Sequence, residues 1–252
     1  MNEDEIQMPF LQHLAELRKC TVKSLIAVII GFCICYSFAE PLFSWLTIPF
    51  NEAYRSTFSK DPKLVHTGLI EPFMVYIKVG LLGGVFLASP VVFYQFWKFI
   101  SPGLRKSERR HVVPFVSLAT IFFVGGALFG YFGVFPLGFS YFLTVAPADY
   151  IEPMIRMQEY YQLASWMLVV FGIVFEGPLI VLYLVALGKI GSDQLIRPWR
   201  AILVGISIAS ALLTPADPGS MILMAAPLTV LYGITIVFAL ILGKRSKTNP
   251  PS

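Results

Sequence analysis

Charge is what this sequence has least of. Only 13% of its 252 residues are Asp, Glu, Lys or Arg, against about 25% in a soluble globular domain. So little charge cannot cover the surface of a soluble domain of this size. Cysteine is scarce too. Cys33 and Cys35 lie two positions apart on a helical stretch, so they face different sides, and Cys20 stands alone. A disulfide framework or a metal site is not suggested, and all three read as small buried hydrophobes. His13, His66 and His111 show no ligand spacing. The sequence contains no H-E-x-x-H, no G-x-S-x-G, no phosphate loop and no nucleotide fingerprint. It therefore calls for no catalytic residue, cofactor or metal. The basic residues sit in short loops, which argues against a nucleic-acid partner. The opening N-E-D-E (residues 2–5) is acidic where a secretory signal is basic, so no cleavable signal peptide is expected.

What fills the sequence is apolar. Hydrophobic residues make up 56% of the chain, and the mean hydropathy is +0.72. A helix that spans a bilayer needs about 20 apolar residues. Six candidate spans emerge, at 21–38, 73–96, 112–131, 163–187, 202–213 and 221–242. The fifth is shorter than the bilayer and requires local thinning or shelter by protein. Of the 19 lysines and arginines, only Arg55, Lys60, Lys63 and Arg156 fall in outer segments, and Lys78 lies within the second span. The rest gather on one side, which places both termini in the cytoplasm. The expected fold is an all-α integral membrane protein with a single membrane domain over residues 1–252. Its parts are a cytoplasmic amphipathic N-terminus (1–20), a six-helix bundle (21–242) and a short cytoplasmic tail (243–252).

Prolines punctuate this pattern. Pro90, Pro178 and Pro227 lie inside spans, where each removes one intrahelical hydrogen bond and favours a bend. Pro114 falls near a helix start, where proline is tolerated. The outer segments at 40–71 and 135–161 are long and broken by prolines, which fits amphipathic helices on the outer surface. Before the first span, Phe10, Leu14 and Leu17 recur at helical spacing and read as an amphipathic segment along the cytoplasmic interface.

The acids stand out against this background. Glu16 in H-L-A-E-L-R (13–18) and Glu108 in S-P-G-L-R-K-S-E-R-R (101–110) lie on the basic cytoplasmic side. Each could pair locally, Glu16 with Lys19 and Glu108 with Arg105, in contacts worth a few tenths of a kcal/mol. Together they could instead read two arginines of a peptide, because a guanidinium engages a carboxylate bidentately. Glu176 in F-E-G-P is a carboxylate deep in a span, where a charge costs roughly 2.5–3.5 kcal/mol on insertion scales. It either faces a polar cavity or partner, or is protonated and bonded to backbone opened by Pro178. Asp217, in the outer turn L-T-P-A-D-P, reads as a turn former or helix cap.

These motifs together resemble the TatC family, the multispanning subunit of the twin-arginine protein translocase. H-L-x-E-L-R, the run from Ser89-Pro90 through Y-Q-F-W-x-F-I-x-P (94–102) to E-R-R (108–110) and Pro114, F-E-x-P (175–178) and L-L-T-P-x-D (212–217) carry the likeness. The resemblance implies a curved, glove-shaped bundle of six helices in the bacterial plasma (inner) membrane. It implies a receptor for twin-arginine signal peptides of folded cargo, driven by the proton-motive force. Glu16 and Glu108 would meet the arginines, with Arg18, Phe99 and Arg110 shaping the same patch. Pro49 in T-I-P (47–49) is similar to a functional outer-segment proline, and Asp217 would hold the outer turn. Glu176 would be available to single-span TatA- or TatB-type subunits, within a homo-oligomeric complex in membrane lipid. Met221 departs from the family, which often has Gln there. The alternative is a proton-coupled small-solute transporter using Glu176. It would be expected to show paired broken helices and an inverted repeat, and neither is evident. An intramembrane hydrolase ranks below both, because no nucleophile–base motif is present.

Overall fold

The computed structural model describes residues 10–100, 112–145, 153–186, 197–213 and 218–248. Glu108, Arg110 and Asp217 lie outside the described residues. Among the described residues the regular structure is helical: α1 Phe10–Tyr36, α2 Ala39–Leu46, α3 Ile48–Phe58, α4 Glu71–Ile100, α5 Val112–Phe129, a π-helical turn at Gly130–Val134, α6 Phe135–Thr144, α7 Met157–Ala186, α8 Trp199–Leu213 and α9 Pro218–Thr248. Apart from these there is one isolated bridge, between Val65 and Arg156.

Four stretches are long and apolar enough to cross a membrane: His13–Tyr36, Glu71–Ile100, Pro114–Thr144 and Met157–Val185. Two shorter apolar stretches lie at Trp199–Ala211 in α8 and Met224–Leu240 in α9. The fifth helix is short, as its sequence indicates, with 15 residues. Pro90, Pro178 and Pro227 fall inside α4, α7 and α9.

The ends of two elements differ from the sequence reading. The amphipathic N-terminal stretch runs into the first span as one helix, because no Gly or Pro intervenes between Phe10 and Ile30. The third span continues past Tyr131 through the π turn into α6. Pro136 does not end it, because the proline falls in the first turn of α6, where a missing N–H is tolerated.

The chain divides into two compact units, with boundaries at Phe43/Ser44, Pro72/Phe73 and Ile121/Phe122. In the first unit α1 and α4 approach through glycine. A Cβ added at Gly84 would lie 2.5 Å from the Phe32 nitrogen, and one at Gly31 would lie 2.6 Å from the Gly84 carbonyl oxygen. Such closeness lets backbones pack without large side chains between them, the usual device where lipid supplies no hydrophobic drive. The second unit has the larger aromatic core. Tyr131, Phe135 and Phe171 are fully buried. Gly126 and Gly130 let α5 and the π turn come against Phe171 of α7. α3 packs on α6, and α9 packs on α7 and α8. α3 buries Pro49, Phe50, Ala53 and Tyr54 along one face, as an amphipathic helix should.

Candidate functional site

The sequence points to a cytoplasmic patch, and within the first unit part of it can be built. Glu16 and Arg18 lie on α1; Glu16 is half-buried and Arg18 exposed. Phe99, also half-buried, is the next-to-last residue of α4. The two helices meet in a ring stack: the centroids of His13 and Phe99 are 4.3 Å apart at an interplanar angle of 25°. His13 and Glu16 are three residues apart, so they share a face of α1. The stack therefore brings the Glu16 face of α1 to the end of α4 that carries Phe99. Among the described residues the local Glu16–Lys19 pair is not formed. The partner acid Glu108 and Arg110 lie outside the described residues, so the geometry of this patch rests on Glu16, Arg18, Phe99 and His13.

Glu176 sits half-buried in α7, two residues before Pro178. Its Oε1 is buried and accepts no hydrogen bond from the described residues. For that oxygen, capture by backbone opened at Pro178 is not realised. The carboxyl keeps acceptor capacity that a polar partner could use.

Pro49 has a clear local role in the second unit. In a continuous helix the Trp45 carbonyl would accept the N–H of residue 49, and proline has none. The chain breaks at Thr47, and α3 starts with Pro49 in its first turn. Three successive carbonyls at the end of α2 then take hydroxyl donors. The Thr47 hydroxyl donates to Ser44 O at 2.8 Å, Tyr131 to Trp45 O at 2.6 Å, and Tyr160 to Leu46 O at 2.6 Å. The Tyr131 ring also stacks on Trp45, with centroids 4.2 Å apart at 14°. The π turn carries Tyr131, and such turns often occur at functional positions. Tyr131 and Tyr160 escaped the sequence reading. For Tyr131 the available signal was a tyrosine within an apolar run, since a buried hydroxyl needs a partner; Tyr160, in Q-E-Y-Y-Q (158–162), had no such signal.

Glu71 also escaped it. The residue opens α4 and is only 7% exposed. Its Oε2 accepts the backbone N–H of Thr67 at 3.0 Å and of Gly68 at 3.4 Å, the Thr67 hydroxyl at 3.2 Å and an Arg156 guanidinium N–H at 3.4 Å. Its Oε1 accepts the Gln158 N–H at 3.2 Å. Backbone bonds beside it, Val65 N–H to Ile155 O and Met157 N–H to Val65 O, tie the same two segments. This is a structural clasp between the segment after α3 and the start of α7. Met221, in α9, is half-buried.

Comparison with known proteins agrees with these motifs. The family model described as TatC, Sec-independent protein translocase protein, matches residues 12–227. A Sec-independent protein translocase protein TatC from Desulforapulum autotrophicum is 43% identical over 249 residues, covering 99% of this chain and 90% of the relative. One from Magnetococcus marinus is 37% identical over 239 residues, covering 94% and 86%. A crystal structure of a twin-arginine translocase receptor, TatC, superposes with a TM-score of 0.78 at 34% identity, covering 90% of this chain and 99% of that one.

Proposed function

This chain belongs to the TatC family of Sec-independent protein translocase proteins, a multi-pass membrane family, and from that premise we propose that it is the subunit that binds twin-arginine signal peptides. It sits in the bacterial inner membrane with both termini in the cytoplasm and six spans in one membrane domain. The observation that carries the reading is the half-buried Glu16, free of Lys19 and joined through the His13–Phe99 stack to the end of α4. A half-buried carboxylate that forms no ion pair among the described residues is primed for an incoming guanidinium, since charge-assisted bidentate bonds are the strong ones. Glu108 supplies the second carboxylate, and Arg18 and Arg110 confine the peptide between them. One of the solved relatives is a twin-arginine translocase receptor, which supports the same role here.

The same proposal gives Glu176 to partner subunits. Its half-buried carboxyl on α7, whose Oε1 takes no donor among the described residues, suits a polar group on a single-span TatA- or TatB-type helix, recruited once the signal peptide has docked. Pro49 and Asp217 shape the outer face, several copies act in one complex, and the proton-motive force drives passage. Membership in a protein-translocase family leaves the solute-transporter reading of Glu176 without support. The chain belongs to a family of protein-transport components.

The test is site-specific photocrosslinking from positions beside Glu16 and Phe99 to a twin-arginine signal peptide and to its Lys-Lys version. Crosslinks should require the arginines and weaken at least tenfold in Glu16→Lys, with partial recovery when one peptide arginine becomes Glu. Equal crosslinking of both peptides, or an unaffected Glu16→Lys variant, would remove the receptor assignment.

A further inference from the structure

We propose that His13 is a positioning residue that makes the Glu16 patch selective for guanidinium over ammonium. The inference rests on the receptor reading above and adds a residue to it. His13 lies in α1 and Phe99 in the last turn of α4, and their rings are in face contact at 4.3 Å. The last turn of a helix has free carbonyls and frays unless something holds it. Here the His13 ring contact is one tie on that turn, beside the contact of Trp97 with Phe115 at 4.2 Å. Glu16 lies one turn further along α1, about 4.5 Å along the axis, on the face that carries His13.

The consequence is chemical. His13 is exposed, so one face of its ring lies on Phe99 while the ring as a whole remains accessible to solvent. Arginine's guanidinium is flat and weakly hydrated. It can pair with a carboxylate and lie on an aromatic face at the same time. Lysine's ammonium is a compact, strongly hydrated point charge and gains mainly the carboxylate. A carboxylate one turn from a stacked ring pair therefore rewards arginine twice and lysine once. Removing His13 loses both the ring surface and the tie that keeps Phe99 beside Glu16.

The experiment uses the full-length chain in lipid nanodiscs and measures equilibrium binding of a synthetic twin-arginine signal peptide and its Lys-Lys version. An aromatic pair contributes enough to change affinity by roughly 2- to 12-fold. His13→Ala should lose that much for the arginine peptide and little for the lysine peptide, so the ratio of the two affinities falls. His13→Phe should restore the ratio, because it keeps the stack without the imidazole. In a Phe99→Leu background, His13→Ala should have a clearly smaller effect, because the tie is already gone and only the His13 ring surface is left to lose. An unchanged ratio in His13→Ala, a failure of His13→Phe to restore it, or a full His13→Ala effect without Phe99 would each overturn the proposal. Glu16→Lys, run alongside, separates the two levels. If it abolishes arginine binding while His13→Ala changes nothing, the receptor reading stands and His13 is dismissed. If Glu16→Lys also changes nothing, the receptor reading fails with it.

Discussion

Replacing Pro49 by alanine should make Tyr131→Phe nearly harmless and leave Tyr160→Phe as harmful as before. The asymmetry follows from the three carbonyls at the end of α2. The Tyr131 hydroxyl serves the Trp45 carbonyl at 2.6 Å, and that acceptor is orphaned because residue 49 has no N–H. Tyr160 serves the Leu46 carbonyl, whose donor four residues on is not a proline. In the wild-type background, Tyr131→Phe removes a part-buried hydrogen bond worth about 0.5–1.5 kcal/mol net. Tyr160→Phe strips a buried acceptor at Leu46, which is 4% exposed, and should be worse by the desolvation penalty, about 1–3 kcal/mol. Alanine at 49 supplies an N–H one helical turn from the Trp45 carbonyl. The coupling between positions 49 and 131 should be about 1 kcal/mol, and that between 49 and 160 close to zero. Pro49→Ala alone should lose a few tenths to 1 kcal/mol through the freer unfolded chain. Unfolding titrations in mixed micelles would read this, with tryptophan fluorescence reporting on Trp45 against Tyr131. One kcal/mol changes the folded-to-unfolded ratio about fivefold. Equal losses for Tyr131→Phe in both backgrounds would refute the orphaned-carbonyl account of Pro49.

Two further outcomes follow from packing and from the clasp. Gly84→Ala should destabilise the first unit by about 1–3 kcal/mol, because the new Cβ meets the Phe32 backbone nitrogen at 2.5 Å and cannot be accommodated by a side-chain shift. Gly125→Ala, with nothing within 4 Å, should instead gain up to about 1 kcal/mol from helix propensity; similar unfolding midpoints for the two variants would contradict the close α1–α4 approach. Arg156→Leu should loosen the clasp only partly, since the Glu71 carboxylate keeps the three backbone donors at Thr67, Gly68 and Gln158. Hydrogen exchange at those amides should rise less than in Glu71→Ala, and equal rises would mean that the ion pair, rather than the backbone donors, holds the segments.

Much of the fold is legible in the sequence because it is written in apolar runs. The four long apolar helices, the short fifth helix and the positions of Pro90, Pro178 and Pro227 follow from hydropathy and local rules. The end of the third span does not. Pro136 looks like a terminus, yet at the start of α6 its missing N–H costs nothing. Close approach through Gly31 and Gly84 is equally hidden, since a glycine in an apolar run does not announce its neighbour. The polar wiring of the second unit joins residues 85, 86 and 114 positions apart, at Arg156–Glu71, Tyr131–Trp45 and Tyr160–Leu46. No local pattern encodes such pairs. Pro49 was legible through its motif, but the hydroxyls that make its break tolerable were not. Of the candidate site, Glu16, Arg18 and Phe99 were visible as motif residues, whereas the His13 ring contact that relates them depends on tertiary structure.

Two glutamates show why the distinction matters for function. Glu71 and Glu16 both lie in or beside helices bounded by polar segments, and sequence alone gives no reason to separate them by role. Glu71 is almost fully buried and its two oxygens take five donors. A carboxylate so satisfied has little capacity left for a ligand, and its removal leaves five donors unmet. Glu16 is half-buried and is not paired with Lys19 among the described residues, so its acceptor capacity is still to be used. Charge-removing substitutions should therefore split cleanly. Glu71→Gln should lower stability and slow-exchange protection at Thr67, Gly68 and Gln158 while leaving the affinity of folded protein for a twin-arginine peptide within about twofold. Glu16→Gln should leave stability unchanged, within about 0.5 kcal/mol as for an ordinary surface substitution, and weaken the peptide by about 1.5–3 kcal/mol, the range for a hydrogen bond to a charged group. If Glu16→Gln destabilised the protein as much as Glu71→Gln does, Glu16 would be a structural acid like Glu71, and the arginine-binding role would have to pass to another residue.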